Sequence, residues 1–167
     1  MVMRAVILTV GLALGLAGCA QQVELHTVFN PADAEFVLKD GPNRVSGQAF
    51  VRQNGGGVVT CAGSGVGLTP VNAYSTDRMI GIYGNSVSGY LPAIIEKKLP
   101  ENAEYIRLSR TAYCDAQGNF DFENVPDGEY YVTTYVAWTV GYVAQGGGLM
   151  KRVSVSGGKH EKLILTP

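Results

Sequence analysis

Charge is sparse in this chain and nearly balanced: Asp, Glu, Lys and Arg make up 16% of its 167 residues, with 14 acids against 13 bases. No basic block interrupts that balance, so a nucleic-acid partner, which needs a cationic footprint, is not expected. Histidine is scarcer still, with only His26 and His160, far apart along the chain. A zinc centre or a Ser-His-Asp relay has little to build on, and both histidines read as solvated surface side chains. Long apolar runs are missing apart from Ala5 to Gly18, which falls short of the roughly 20 residues a membrane-spanning helix needs. The glycine triplets Gly55-Gly56-Gly57 and Gly146-Gly147-Gly148 lack a following Lys-Ser/Thr and a helix start. They read as flexible hairpin ends rather than phosphate cradles. No cofactor, metal or catalytic residue is expected.

What the chain does have begins at its start. Arg4, the apolar stretch and the run Leu16-Ala17-Gly18-Cys19 resemble the leader and lipobox of a bacterial lipoprotein precursor. The resemblance implies a signal peptide over residues 1–18, cleavage before Cys19, and lipid on the Cys19 sulfur and commonly on the new amino terminus. Two or three acyl chains hold firmly because each buried methylene contributes ~0.8 kcal/mol. Ala20 rather than Asp after the cysteine implies the outer membrane in a Gram-negative host, with the leaflet open. Arg4 leaves with the leader, so the remainder is slightly acidic and long enough for one domain. With Cys19 committed to lipid, Cys61 and Cys114 are the remaining cysteines, and an oxidising compartment favours a bridge between them. Such a bridge closes a loop of about 54 residues, worth on the order of 4 kcal/mol in the chain-entropy model. Two buried free thiols are the alternative.

Residues 19–32 show no sustained period and read as a lipidated tether able to span roughly 40 Å when extended. A folded domain is expected over 33–167. Ala34 to Leu38 suggests a short strand or helical turn, stopped by Asp40-Gly41-Pro42. Strands are expected over Val45 to Arg52, Val58 to Cys61 and Val66 to Tyr74, the last with Pro70 at an edge or bulge. Ser75 or Thr76 could cap a short helix ending at Gly84, with Asp77 serving its dipole. Residues 85–100 are irregular. Alternation of Tyr105, Arg107 and Ser109 predicts a strand running toward Cys114. The turns Asp115 to Gly118 and Asn124 to Gly128 flank a short strand with Phe120 and Phe122 on one face. Glu129 to Trp138 is a further strand. Leu149 to Val155 and Lys162 to Leu165 are expected to form a final hairpin around Ser156-Gly157-Gly158.

The run from Asp115 through Phe120, Phe122, Val125, Pro126 and Gly128 to Tyr130 resembles the D-x-x-G-x-F-x-F-x-x-[LV]-P-x-G-x-Y signature of carboxypeptidase regulatory-like domains. Val45-Ser46-Gly47-Gln48-Ala49 and Val66-Gly67-Leu68-Thr69-Pro70 match that family's early strands more loosely. The resemblance implies an all-β fold, a seven-stranded transthyretin-like Greek-key sandwich; residues 75–110 depart from the family pattern and read as one short helix or irregular insertion. It specifies a fold and no reaction. Related folds include a ureide hydrolase with a Tyr-Arg-Gly-Ser terminus, which this chain lacks.

Asp115, Asn119, Asp121 and Glu123 invite a calcium reading, but their spacing lacks an EF-hand rhythm and alternation sends Asp121 and Glu123 to solvent. Tyr130, Tyr131, Tyr135 and Trp138 could form a carbohydrate platform, or could simply be good strand residues. The leading expectation is therefore a non-enzymatic, lipid-anchored sandwich acting as a structural or protein-interaction module at the outer membrane, with an envelope protein partner. A glycan-binding module is the alternative, and exposure of those four aromatics is the observation that separates them.

Overall fold

The computed structural model describes residues 21–167. The leader and the lipid attachment expected at Cys19 lie outside the described residues. The elements are β1 (Gln21–Gln22), β2 (Asn43–Arg52), β3 (Val58–Thr60), β4 (Gly65–Pro70), α1 (Ala73–Tyr83), β5 (Ser88–Pro92), β6 (Lys97–Lys98), α2 (Ala103–Arg107), β7 (Arg110–Tyr113), β8 (Asn119–Val125), β9 (Gly128–Val140), β10 (Val143–Val155) and β11 (His160–Leu165). One sheet has the order β5-β10-β9-β4-β7. The other centres on β2, with β11 parallel on one edge and β8 then β3 antiparallel along the other. The two sheets thus hold nine strands, where seven were expected. The irregular 85–100 segment supplies an extra edge, β5, and the β2 edge is shared by two short strands.

Period-two alternation builds the core. Val45, Ala49 and Val51 of β2, Phe120 and Phe122 of β8, and Leu163 and Leu165 of β11 meet Val66, Leu68, Tyr130, Val132, Val136, Leu149, Val153 and Val155 of the facing sheet. At ~25 cal/mol per Å² of apolar area removed from water, this layer is the main stabilising term. Cys61 and Cys114 form a disulfide with Cα atoms 5.8 Å apart. It joins the end of β3 to the end of β7 and so ties the sheets together.

Several expectations change. Residues 21–32 are not a free tether: Gln21 and Gln22 pair with Lys97 and Lys98, Val23 is buried, and Phe29 packs at an angle on Tyr74 and edge-on against Tyr105. The amides of His26 and Thr27 and the Thr27 hydroxyl all donate to the Asp77 carboxylate. Helix α1 starts earlier than expected because Asn72, read as strand, caps it. The Asn72 side chain accepts from Ser75 N while Ser75 Oγ accepts from Asn72 N, a reciprocal capping box. Gly84, in the left-handed region at φ 70°, ends it as expected. The strand expected from Tyr105 is instead the short helix α2. Asn102 accepts from Tyr105 N, and an Arg107–Glu104 pair one turn apart supports it. Burial follows the helix and not the alternation: Tyr105 packs on Tyr74 and Leu108 is buried, while the two residues between them, Ile106 and Arg107, are both exposed.

Gly146-Gly147-Gly148 is no hairpin end but the middle of β10. A Cβ on Gly146 would lie 2.1 Å from the Val136 carbonyl oxygen, and one on Gly147 2.0 Å from that of Leu91. Glycine there lets three backbones approach. The actual two-residue turn is Gly141-Tyr142, with Gly141 at φ 60° as a II′ turn requires. Nor do β10 and β11 form a hairpin: after Gly157 and Gly158 the chain crosses to the other sheet and β11 pairs with β2.

Candidate functional site

Because the odd residues of β2 point inward, Arg44, Ser46 and Gln48 point out. The same alternation exposes Lys162 and Ile164 on β11 and Asn119 and Asp121 on β8. Register then sets rows across the sheet: Lys162, Ser46 and Asp121 in one, Ile164, Gln48 and Asn119 in the next. His160 lies opposite Arg44. Together with Tyr113 and Asp115 these residues line an open concavity of about 910 Å³. The opposite sheet is covered on its outer side, where Met79 of α1 packs on Tyr131 and Met150.

The polar groups on this face are held in place by one another. Arg44 forms a two-pronged ion pair with Asp121, and this hydrogen bond holds the guanidinium above its ordinary pKa. Gln48 Nε2 donates to the Gln117 carbonyl at 2.9 Å. The Asp115 carboxylate accepts from the Asn119 side chain, the Asn119 amide and the Gln117 amide, which hold it below the usual carboxylate range. Asp115 and Asp121 are thus engaged in closing their own turn and ion pair, and among the described residues no three His, Cys, Asp or Glu groups converge as a metal would require.

His160, which the sequence leaves without a partner, meets Ser46 Oγ through Nε2 at 2.9 Å. Sequence reasoning missed this pair because the residues are 114 apart and only the parallel β2–β11 register joins them. It is not arranged as a catalytic relay. Both Asp121 oxygens face Arg44, and among the described residues no carboxylate bonds to His160. His26 lies elsewhere, with Nδ1 3.5 Å from Asp77.

The four aromatics singled out in sequence are separated. Tyr130 and Tyr131 are both 0% exposed on opposite faces of β9. Tyr130 donates to the Pro126 carbonyl, and burial pushes its phenol up to about 12. Tyr131 bonds Thr76 beneath α1. Trp138 is half-buried against the main core and Tyr135 faces the other way. They form no platform. The exposed ring at the polar face is Tyr113, 73% accessible, which sequence reasoning did not single out. Its alternation with buried Cys114 is the signal that could have found it.

The face therefore offers hydroxyl, amide, ammonium and imidazole groups beside an exposed phenol ring, with both donors and acceptors in fixed rows. Such a surface suits a ligand rich in hydroxyl groups with an apolar ring face.

No protein-family model matches the chain, and no curated protein does. Among solved structures, a similar one is the crystal structure of a Pseudomonas aeruginosa protein provisionally designated carbohydrate-binding. It is 23% identical, with a TM-score of 0.72 over 86% of this chain and the whole of that one. At that identity the likeness is one of fold: a mostly antiparallel β-sandwich.

Proposed function

We propose that this protein is a non-enzymatic carbohydrate-binding module of the bacterial envelope, lipid-anchored at the outer membrane through Cys19 and built as a transthyretin-like domain of the carboxypeptidase regulatory-like kind. The observation that carries the reading is the uncovered polar face of β11, β2 and β8 with Tyr113 at its border. The P. aeruginosa likeness supports it, as does the placement of the signature residues Phe120, Phe122, Val125 and Tyr130 in the core. The alternative of a purely protein-binding module rests on the anchor and fold alone, whereas the polar face gives a glycan a specific place.

Titration of the isotope-labelled domain with neutral and acidic oligosaccharides tests it by backbone amide shifts. Shifts are expected at Ser46, Gln48, Tyr113 and Asn119. Tyr113→Ala is expected to weaken binding about tenfold, the loss of a ~1–1.5 kcal/mol ring contact. A panel that moves no amide on this face refutes the carbohydrate reading. Separately, a Cys19→Ala chain that stays membrane-bound refutes the anchor.

A further inference from the structure

The β9–β10 hairpin runs past the rest of its sheet. Beyond Thr134, β9 has lost β4, and before Gly147, β10 has lost β5, so residues 138–145 pair only with each other. The projecting ribbon ends at the Gly141-Tyr142 turn, where Val140, Tyr142 and Val143 are all exposed and Tyr142 is 105% accessible. From Tyr130 to Met150 the sequence carries no charged side chain. β5 runs antiparallel to β10, so its end points toward this tip. Ala93 N bonds the Gly146 carbonyl, and the next two residues, Ile94 and Ile95, are exposed as well. Exposed aliphatic side chains with a tyrosine at the tip of an uncharged hairpin are unusual for a surface facing only water; Ile94 and Ile95, on the neighbouring edge, are followed by the charged run Glu96-Lys97-Lys98.

The N-terminal segment starts next to Ile95. Gln21 N donates to the Glu96 carbonyl at 3.0 Å, and Glu96 directly follows Ile95. From there the chain runs back along α1, with Val23 against Gly81, Thr27 on Asp77 and Phe29 on Tyr74, away from the tip. Cys19 precedes Gln21 by two residues, a reach of about 7 Å. Gln21, the first described residue, thus starts beside Ile94-Ile95, on the edge of the sheet from which the hairpin projects.

We propose that Val140, Tyr142 and Val143, with Ile94 and Ile95, form a second membrane contact, seated at the headgroup–acyl boundary of the bilayer that holds Cys19. The proposal rests on the lipid-anchor reading. The anchor makes insertion intramolecular, so even a weakly inserting tip is occupied at high effective concentration. Tyrosine suits that boundary, with an apolar ring and a polar hydroxyl. Two attachment points fix the orientation of the sandwich and leave the polar face of β11, β2 and β8 free of lipid.

The test uses the full lipidated protein in vesicles of phosphatidylethanolamine and phosphatidylglycerol. Cys61 and Cys114 are bridged, so Tyr142→Cys and Lys162→Cys each supply one thiol for a nitroxide label. At 142, relaxation by oxygen is expected to exceed relaxation by a water-soluble nickel chelate; at 162, on the polar face, the order reverses. A protein that stays on the vesicles with its 142 label as open to nickel as the 162 label overturns the tip contact alone. One that does not stay on the vesicles overturns the anchor reading, and the tip contact with it.

Discussion

Asn43 is the position where one substitution should cost most. Its side chain belongs to a residue 1% exposed at the start of β2 and makes four hydrogen bonds. Nδ2 donates to the Val125 carbonyl at 3.0 Å and to Asp127 Oδ1 at 2.8 Å. Oδ1 accepts from the amides of Gly158 and Lys159 at 2.9 and 2.8 Å. One amide group thus fastens the β8–β9 turn and the β10–β11 crossing to β2. In Asn43→Ala, water can reach the amides of the exposed 158–159 turn, so those two bonds cost about 1 kcal/mol each. The buried Val125 carbonyl loses a partner it cannot replace, and Asp127 loses one of two; together these add roughly 2 kcal/mol. The total of ~4 kcal/mol corresponds to a fall in Tm of about 10 °C for a domain of this size. Urea unfolding followed by far-ultraviolet circular dichroism measures it. A loss below ~1 kcal/mol would refute the reasoning, because that is the worth of a single ordinary hydrogen bond. Asn43→Asp sharpens the test. It keeps both acceptor bonds but turns an oxygen toward the Val125 carbonyl and the Asp127 carboxylate, so its folded pKa rises above the unfolded value. Relative to the native protein, the variant's stability deficit should be smallest below the unfolded carboxylate range and grow as pH rises through the raised folded pKa.

Reduction of Cys61–Cys114 should lower stability by up to about 4 kcal/mol, since the cross-link constrains the unfolded chain; an unchanged urea midpoint with reductant would contradict it. Burial raises the Asp77 pKa, but the hydrogen bonds from His26 and Thr27 outweigh that and hold it below its ordinary value. Its stabilisation is thus present above the unfolded carboxylate pKa and lost as pH falls through the folded one. Asp77→Asn should accordingly speed hydrogen exchange at the His26 and Thr27 amides with little change in the β-sheets, and equal protection in both proteins would count against the contact. Gly146→Ala places a methyl 2.1 Å from the Val136 carbonyl at φ 83°. It should destabilise by roughly 2–3 kcal/mol, whereas Gly55→Ala, with open space around it, should change the urea midpoint little.

Local features were legible where they depend on neighbours in the chain. The turn at Asp115 to Gly118, Phe120 and Phe122 facing inward, Gly84 ending α1 and the extended run of β9 all follow from period and turn chemistry. The disulfide was legible by cysteine count. Misreadings came where a local pattern fits two structures. Tyr105 to Ser109 alternates like a strand, yet the Asn102 cap and the Tyr105–Tyr74 contact fold it as helix. The Gly146 triplet looks like a turn, yet close backbones on both sides require glycine in a strand. Residues 21–32 look like a tether because their partners, Lys97, Asp77 and Tyr74, lie more than 40 residues away.

The candidate binding face divides in the same way. That Ser46 and Gln48 point out of β2 follows from alternation with Val45 and Ala49. That they stand beside Lys162, His160, Asp121 and Asn119 follows only from the parallel pairing of β11 and the antiparallel pairing of β8. By itself the sequence determined an all-β domain, its turns and which side of each strand is apolar, because those depend on bonds and spacings within a few residues. Tertiary structure alone decided which polar sides meet, that Tyr130 and Tyr131 are buried, and that the N-terminal segment docks on β6 and α1. Those outcomes depend on strand order and register, which short-range propensity does not encode.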